Sequence, residues 1–129
     1  MIGGFCLEVA VLGESVLKTK SFAFALRIVE ITRELAEQKS EYVVSRQVLK
    51  SGTSIGANIE EANQAESTSD FIHKLSIANK EAFETHYWLR LMRDSGLIDA
   101  DRANDLIANC QELQKMLTAS IKTSKSREK

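Results

Sequence analysis

Apolar residues recur at steps of three and four along most of the chain, in four segments separated by short polar breaks. From about Ser15 to Gln38, Leu17, Phe24, Ile28, Ile31 and Leu35 keep one helical phase, and a second apolar row of Phe22, Ala25, Val29 and Ala36 lies beside them. A surface helix needs one apolar stripe. Two stripes predict a helix covered on more than one side. Ser40 is the expected N-cap of a second helix, in which Val44, Val48, Gly52, Ile55, Ile59 and Ala62 hold the same spacing. "AESTSD" then offers Ser67 or Ser69 as a cap and places Asp70 in the first turn, where a carboxylate suits the helix dipole. The third helix carries Phe71, Leu75, Ala78, Ala82, Thr85, Leu89 and Met92 on one row and Phe83, Tyr87 and Leu91 on another; Gly96 stands where a C′ glycine ends a helix. Leu97 and Ile98 precede Asp99, a good N-cap, and the fourth helix follows with Ala103, Leu106, Cys110, Leu113, Leu117 and Ile121.

The stretch "LKSGTSIGANIEEAN", Leu49 to Asn63, reads locally as a glycine-rich loop. A phosphate loop would need Gly-Lys-Ser/Thr at its end, and a dinucleotide fingerprint would need a preceding strand. Neither is present. The apolar row passes through the stretch without changing phase, which a loop would not do. Two interior glycines cost about 1 kcal/mol each relative to alanine, so their presence predicts close approach of a neighbouring helix.

Four helices of this length joined by a few residues must run antiparallel to their neighbours. The prediction is an all-α, up-down-up-down four-helix bundle over residues 14–123, with a loosely ordered lead-in at 1–13 and a basic, fraying tail at 124–129. Composition agrees: the 129 residues include no proline and only 6 glycines, too few turn formers for a β-rich domain. An apolar content of 43% excludes intrinsic disorder. The apolar start "MIGGFCLEVAVLG" has no basic residue before Lys18 and is interrupted by Glu8, so neither an export signal nor a membrane role is expected. The two cysteines, Cys6 and Cys110, have no metal-like spacing and are expected as free thiols in the cytoplasm.

A bundle invites a di-metal hypothesis, which requires Glu-x-x-His on two helices. Here Asp70 precedes His73 by three and Phe83 precedes His86 by three, so the motif is absent. No catalytic, metal or cofactor residues and no small-molecule substrate are expected. Two polar features remain. Ser51, Ser54, Asn58 and Glu61 share a face of the second helix, while Glu81 and Glu84 lie mid-way along the third. Ser54, Asn58, Glu61 and Glu84 are the expected polar packing cluster that fixes register; a solvated acidic face is the plainer reading of the same residues. Among the cations, Arg46 and Lys50 on the second helix and Arg90 and Arg93 on the third are candidate nucleic-acid contacts, with Lys115, Lys122, Lys125 and Arg127 gathered towards the C-terminus. The net charge of -1 means that one copy is a poor polyanion binder and that several copies would be needed.

"VLKSGTSIGANIEEA" followed by "SDFIHKLSIANKEAFETHYWLRLMRDSGLI" resembles the four-helix-bundle family of 23S rRNA intervening-sequence proteins. Lys50, Ser54, Ile55, Asn58, Ile59, Glu61, Phe71 and Glu84 occupy the family's pattern, and the likeness runs from about Ser21 to Ile98. Asn79-Lys80 departs from it, since the family often has a small pair there, which loosens the expected helix contact. The resemblance implies an up-down bundle assembled into a ring, a homopentamer, and a relation to the accessory variability determinant of diversity-generating retroelements. Phe22, Val29, Phe83, Tyr87 and Leu91 are then the expected contacts between copies. No catalytic residue is implied. The expected function is a non-enzymatic ring that binds RNA or a ribonucleoprotein; the alternative is an oligomeric adaptor for another protein.

Overall fold

The computed structural model describes the backbone of residues 2–128 and the side chains of residues 16–127. Four helices account for nearly all of it: α1 (Ile2–Lys39), α2 (Val43–Ala62), α3 (Thr68–Asp94) and α4 (Ala100–Glu128). The stretch Leu49 to Asn63 lies in α2 up to Ala62, so its helical phase prevails over its loop-like composition. α1 begins thirteen residues before the expected start at Ser15. The side chains of the expected loose lead-in, residues 1–13, lie outside the described residues; its backbone from Ile2 onward is part of α1. At the other end, α4 continues through the basic tail to Glu128.

Contacts across each seam run in opposite chain directions, which makes every neighbouring pair antiparallel. Gly52 and Gly56 of α2 face Ile28 and Ser21 of α1. Ser51 and Glu61 of α2 meet Thr85 and Lys74 of α3, and Ala82 and Asn79 of α3 meet Cys110 and Thr118 of α4. The helices therefore pack in the order α1, α2, α3, α4, with α4 closing onto α1 and with α1 and α3 diagonal. The apolar rows read from the sequence form the interior: Leu17, Phe24, Ile28, Ile31 and Leu35 from α1; Val48, Ile55, Ile59 and Ala62 from α2; Leu75, Ala78, Ala82, Leu89 and Met92 from α3; Ala103, Leu106, Cys110, Leu113 and Leu117 from α4. Val44, Phe71 and Ile121, at the ends of those rows, are half-buried against it.

Two seams differ in kind. Between α1 and α2 the backbones come close: a Cβ built on Gly52 would stand 3.0 Å from Cγ1 and Cγ2 of Ile28, and one on Gly56 would stand 3.5 Å from the Ser21 hydroxyl oxygen. Between α1 and α4 the bridge is ionic, with Lys20 to Glu112 at 2.8 Å, Arg27 to Asp105 at 2.7 Å, and Arg102 reaching both Glu30 and Glu34. The hydrogen bond from Arg102 holds the Glu34 carboxyl below the usual carboxylate range, against the effect of desolvation. Exposed pairs of this kind contribute little free energy each, so they fix register more than they stabilise.

The connections show which caps the sequence revealed. Ser67 caps α3 by accepting from the Asp70 amide at 3.0 Å, and Asp99 caps α4 by accepting from the Arg102 amide at 3.3 Å. Gly96 adopts φ +75 with the Gly96 and Leu97 amides donating to the carbonyls of Arg93 and Met92, the paired pattern of a glycine-ended helix. Ser40 does not cap α2. It has φ 50, and Glu41 does the capping instead: its carboxylate accepts from the amides of Val43, Val44 and Ser45 and from the Ser45 hydroxyl. Burial disfavours the charge, yet those donors together outweigh it and hold the Glu41 carboxyl below its ordinary value.

The two glycines of α2 separate packing from propensity. Gly56→Ala gains helix propensity of about 1 kcal/mol with only ordinary contact to Ser21, so its thermal midpoint should rise. Gly52→Val meets Ile28 and should lower stability by about 1–3 kcal/mol. Chemical denaturation of both variants checks the pair; equal effects would remove the close approach as the reason for the glycine.

Candidate interaction surface

Among the described residues no group of three His, Cys, Asp or Glu side chains is placed to hold a metal ion, and no helix is long and apolar enough to cross a membrane. His73 is exposed, while His86 is half-buried. Burial, then the charges of Arg90 and Arg93, push the His86 imidazole below its ordinary value, so it is neutral at pH 7. Cys110 is fully buried, its thiol donates to the Ala82 carbonyl at 3.2 Å, and burial pushes its pKa up to about 12. A thiol in that state is a packing group, unreactive at neutral pH.

The expected polar cluster is distributed over separate partners. Asn58 donates to the Ser54 carbonyl at 2.8 Å, and the Ser54 hydroxyl donates to the Lys50 carbonyl at 2.7 Å, both within α2. Glu61 pairs with Lys74 at 3.1 Å, and Glu84 accepts from the Trp88 indole N–H at 3.2 Å. Ser54 and Asn58 are half-buried; Glu61 and Glu84 are exposed. Polar register at the α2–α3 seam comes from a pair the cluster omits: the fully buried Ser51 and Thr85 hydroxyls lie 2.9 Å apart in a hydrogen bond, and the Glu81 carbonyl of α3 stands 2.7 Å from the Thr85 hydroxyl as an alternative acceptor for its one proton. Beside it Glu81 is half-buried, with its carboxyl raised by desolvation and by the Glu84 charge and lowered by Lys50 and Lys80. Near the departure at Asn79, the α3–α4 seam opens into a cavity of about 400 Å³ lined by Asn79, Thr118, Ile121, Lys122, Lys125 and Ser126.

The outer face is unusually apolar at two places. On α1, Phe22 is 63% exposed and Leu26 57%, with half-buried Val29 beside them. Leu49 of α2 and Tyr42, just before it, are also exposed. Val29, Thr32, Arg33, Ala36, Tyr42, Ser45, Arg46 and Leu49 line a groove of about 280 Å³ between α1 and α2. On α3, Phe83, Tyr87 and Leu91 form an exposed row at steps of four, with the Tyr87 ring edge-on to Trp88 at 5.1 Å. The expected contact residues thus fall on two faces carried by diagonal helices. Leu26, Leu49 and Tyr42 were missed. Leu26 is one turn from Phe22 and was legible by that spacing; Leu49 and Tyr42 needed the α1–α2 pairing.

The four candidate cations differ in their surroundings. Arg46, Lys50 and Arg90 are exposed. Arg93 is half-buried, pairs with Asp94 at 2.8 Å and donates to the Asn104 side-chain oxygen at 2.9 Å. The sequence signature of the family described as 23S rRNA-intervening sequence protein matches residues 14–119. The chain belongs to that family. Among solved structures, a crystal structure from Bacteroides thetaiotaomicron, described as a protein of unknown function from the S23 ribosomal protein family, is 46% identical with a TM-score of 0.84. The match covers 85% of this chain and 98% of that one. Comparison with curated proteins returned no match. The likeness to that structure supports the four-helix bundle itself.

The Ser51–Thr85 pair gives a direct test of register at the α2–α3 seam. Thr85→Val should cost about 1–2 kcal/mol, because the Ser51 hydroxyl loses its buried partner. Ser51→Ala combined with Thr85→Val should cost less than the two single changes summed, as measured by a denaturation double-mutant cycle. Strict additivity would remove the pair as a unit.

Proposed function

We propose that the chain is a non-enzymatic helical bundle that assembles into a ring, a pentamer, and acts as a binding module for RNA or a ribonucleoprotein in the cytoplasm. The observation carrying this reading is the presence of two large exposed apolar faces on diagonal helices. Solvated side chains of this size, clustered in rows, mark surfaces that are covered in the working state. Faces on opposite sides of one subunit suit head-to-tail contact, which closes into rings when the rotation allows. Family membership supports the association with rRNA intervening sequences.

Assembly would also answer the charge problem. A single copy carries a net charge of -1 and engages many of its cations in ion pairs, including Lys18, Lys20, Arg27, Lys74, Arg93 and Arg102. Repeating exposed Lys50 and Arg90 around a ring multiplies weak phosphate contacts into useful avidity. The second reading, an adaptor that binds another protein, is favoured by the engagement of Arg93 with Asp94 and Asn104, which removes one candidate phosphate contact.

Sedimentation at micromolar concentration should give a mass several times that of the monomer, and affinity for structured RNA should fall steeply between about 50 and 200 mM salt. Lys50→Ala should weaken RNA binding and flatten that salt dependence while leaving the mass unchanged. An intact oligomer with no RNA affinity at about 50 mM salt would select the adaptor reading.

A further inference from the structure

We infer that the α3 row of one copy packs into the α1–α2 groove of the next, with Glu84 meeting Arg33 and Arg46 at the groove's rim. The inference rests on the self-association proposed above and adds which face meets which.

Shape is the first reason. Phe83, Tyr87 and Leu91 stand at steps of four on the crest of a single helix, which makes them a ridge. A ridge packs well only against a concavity. The α1–α2 groove supplies one, and its floor is small: Thr32, Ala36 and Ser45 leave about 280 Å³ open, room for one aromatic ring. Its walls are apolar or aromatic, from Val29, Leu49 and Tyr42, and Phe22 and Leu26 extend that surface along α1. Packing the α3 row on its own copy would set crest against crest and leave the groove empty.

Charge is the second reason. Arg33 and Arg46 both line the groove, and among the described residues neither forms an ion pair. Glu84 follows Phe83 directly on α3, is exposed, and has the Trp88 indole as its described hydrogen-bond donor. Its carboxylate has lone pairs left for a guanidinium, and Arg binds carboxylates in a fixed two-point geometry. Half-buried Glu81 nearby adds negative charge to the same side of the ridge, partly countered by Lys50 and Lys80. Lys80 and Arg90 border the ridge as well, so the complementarity lies in the placement of Glu84 rather than in a net sign.

A mixing experiment tests the assignment. Leu49→Glu spoils the groove and leaves the ridge; Tyr87→Glu spoils the ridge and leaves the groove. Each protein alone should sediment as a folded monomer, with unchanged far-ultraviolet circular dichroism. Their equimolar mixture should form a species of two copies and stop there, because one intact ridge then meets one intact groove. A Leu49→Glu protein that keeps the wild-type mass, or a mixture that stays monomeric while the wild type assembles, would overturn the pairing. A monomeric wild type would instead sink the self-association reading and this inference with it. Since a glutamate on either face could unfold a variant, charge reversal gives a second arm. Arg46→Glu and Glu84→Arg should each weaken assembly about tenfold, and the two combined in one chain should recover most of it. No recovery in a folded double variant would also overturn the pairing.

Discussion

Close contact between α1 and α2 sets the shape of the whole molecule. With no side chain at Gly52, Ile28 lies directly against the α2 backbone, and Gly56 does the same for Ser21 one turn further. Helices this close admit Ile28 at their seam only because position 52 has no side chain, and the other larger apolar side chains are divided between the bundle core and the outside. Ile28 and Val48 go in; Val29 and Leu49, their immediate neighbours in sequence, face the outer groove. The same contact that completes the interior therefore creates an apolar exterior. The α3 seams are different. They are set by a buried hydroxyl pair on one side and by alanines on the other, and α3 presents its second row fully outward.

Much of this was legible in the sequence, for physical reasons that can be named. Helical phase depends only on spacing, so the core rows from Leu17 to Leu117 could be read before any contact was known, and a glycine at φ +75 or an Asp before a helix leaves a local signature. The cap of α2 was not legible. It depends on Ser40 turning to positive φ, which brings Glu41 rather than Ser40 onto the free amides. Glu at that place has no strong local signal. The polar set had the same fate at its finer level: spacing put Ser54, Asn58 and Glu61 on one face, but their partners are a carbonyl one turn back and a lysine across the seam. Ser51–Thr85 hid because Ser51 reads with the polar face of α2, while Thr85 stands within an apolar row, where a lone hydroxyl resembles a tolerated small residue.

Electrostatics follow from the same architecture. Cations and carboxylates are used mainly between helices, as in Lys18–Glu60, Lys20–Glu112, Arg27–Asp105 and Lys74–Glu61. Each exposed pair contributes little to stability. With 17 Lys and Arg against 18 Asp and Glu, and several cations held in such pairs, one subunit has only scattered exposed cations for a polyanion. Recognition of a polyanion by such a surface would have to come from repetition, which ties the proposed binding role to the coverage of its apolar faces.

Trp88, the single tryptophan, is packed against the core beside Tyr87 and reports on the α3 ridge without any substitution. Acrylamide quenching of its fluorescence, followed as the wild-type protein is diluted, tests most directly whether that ridge is covered in solution. Coverage by another copy predicts weak quenching at high concentration and a cooperative rise on dilution, at constant helical content. Quenching that is strong and independent of concentration over the whole range would show a ridge that stays in water, and would contradict the account.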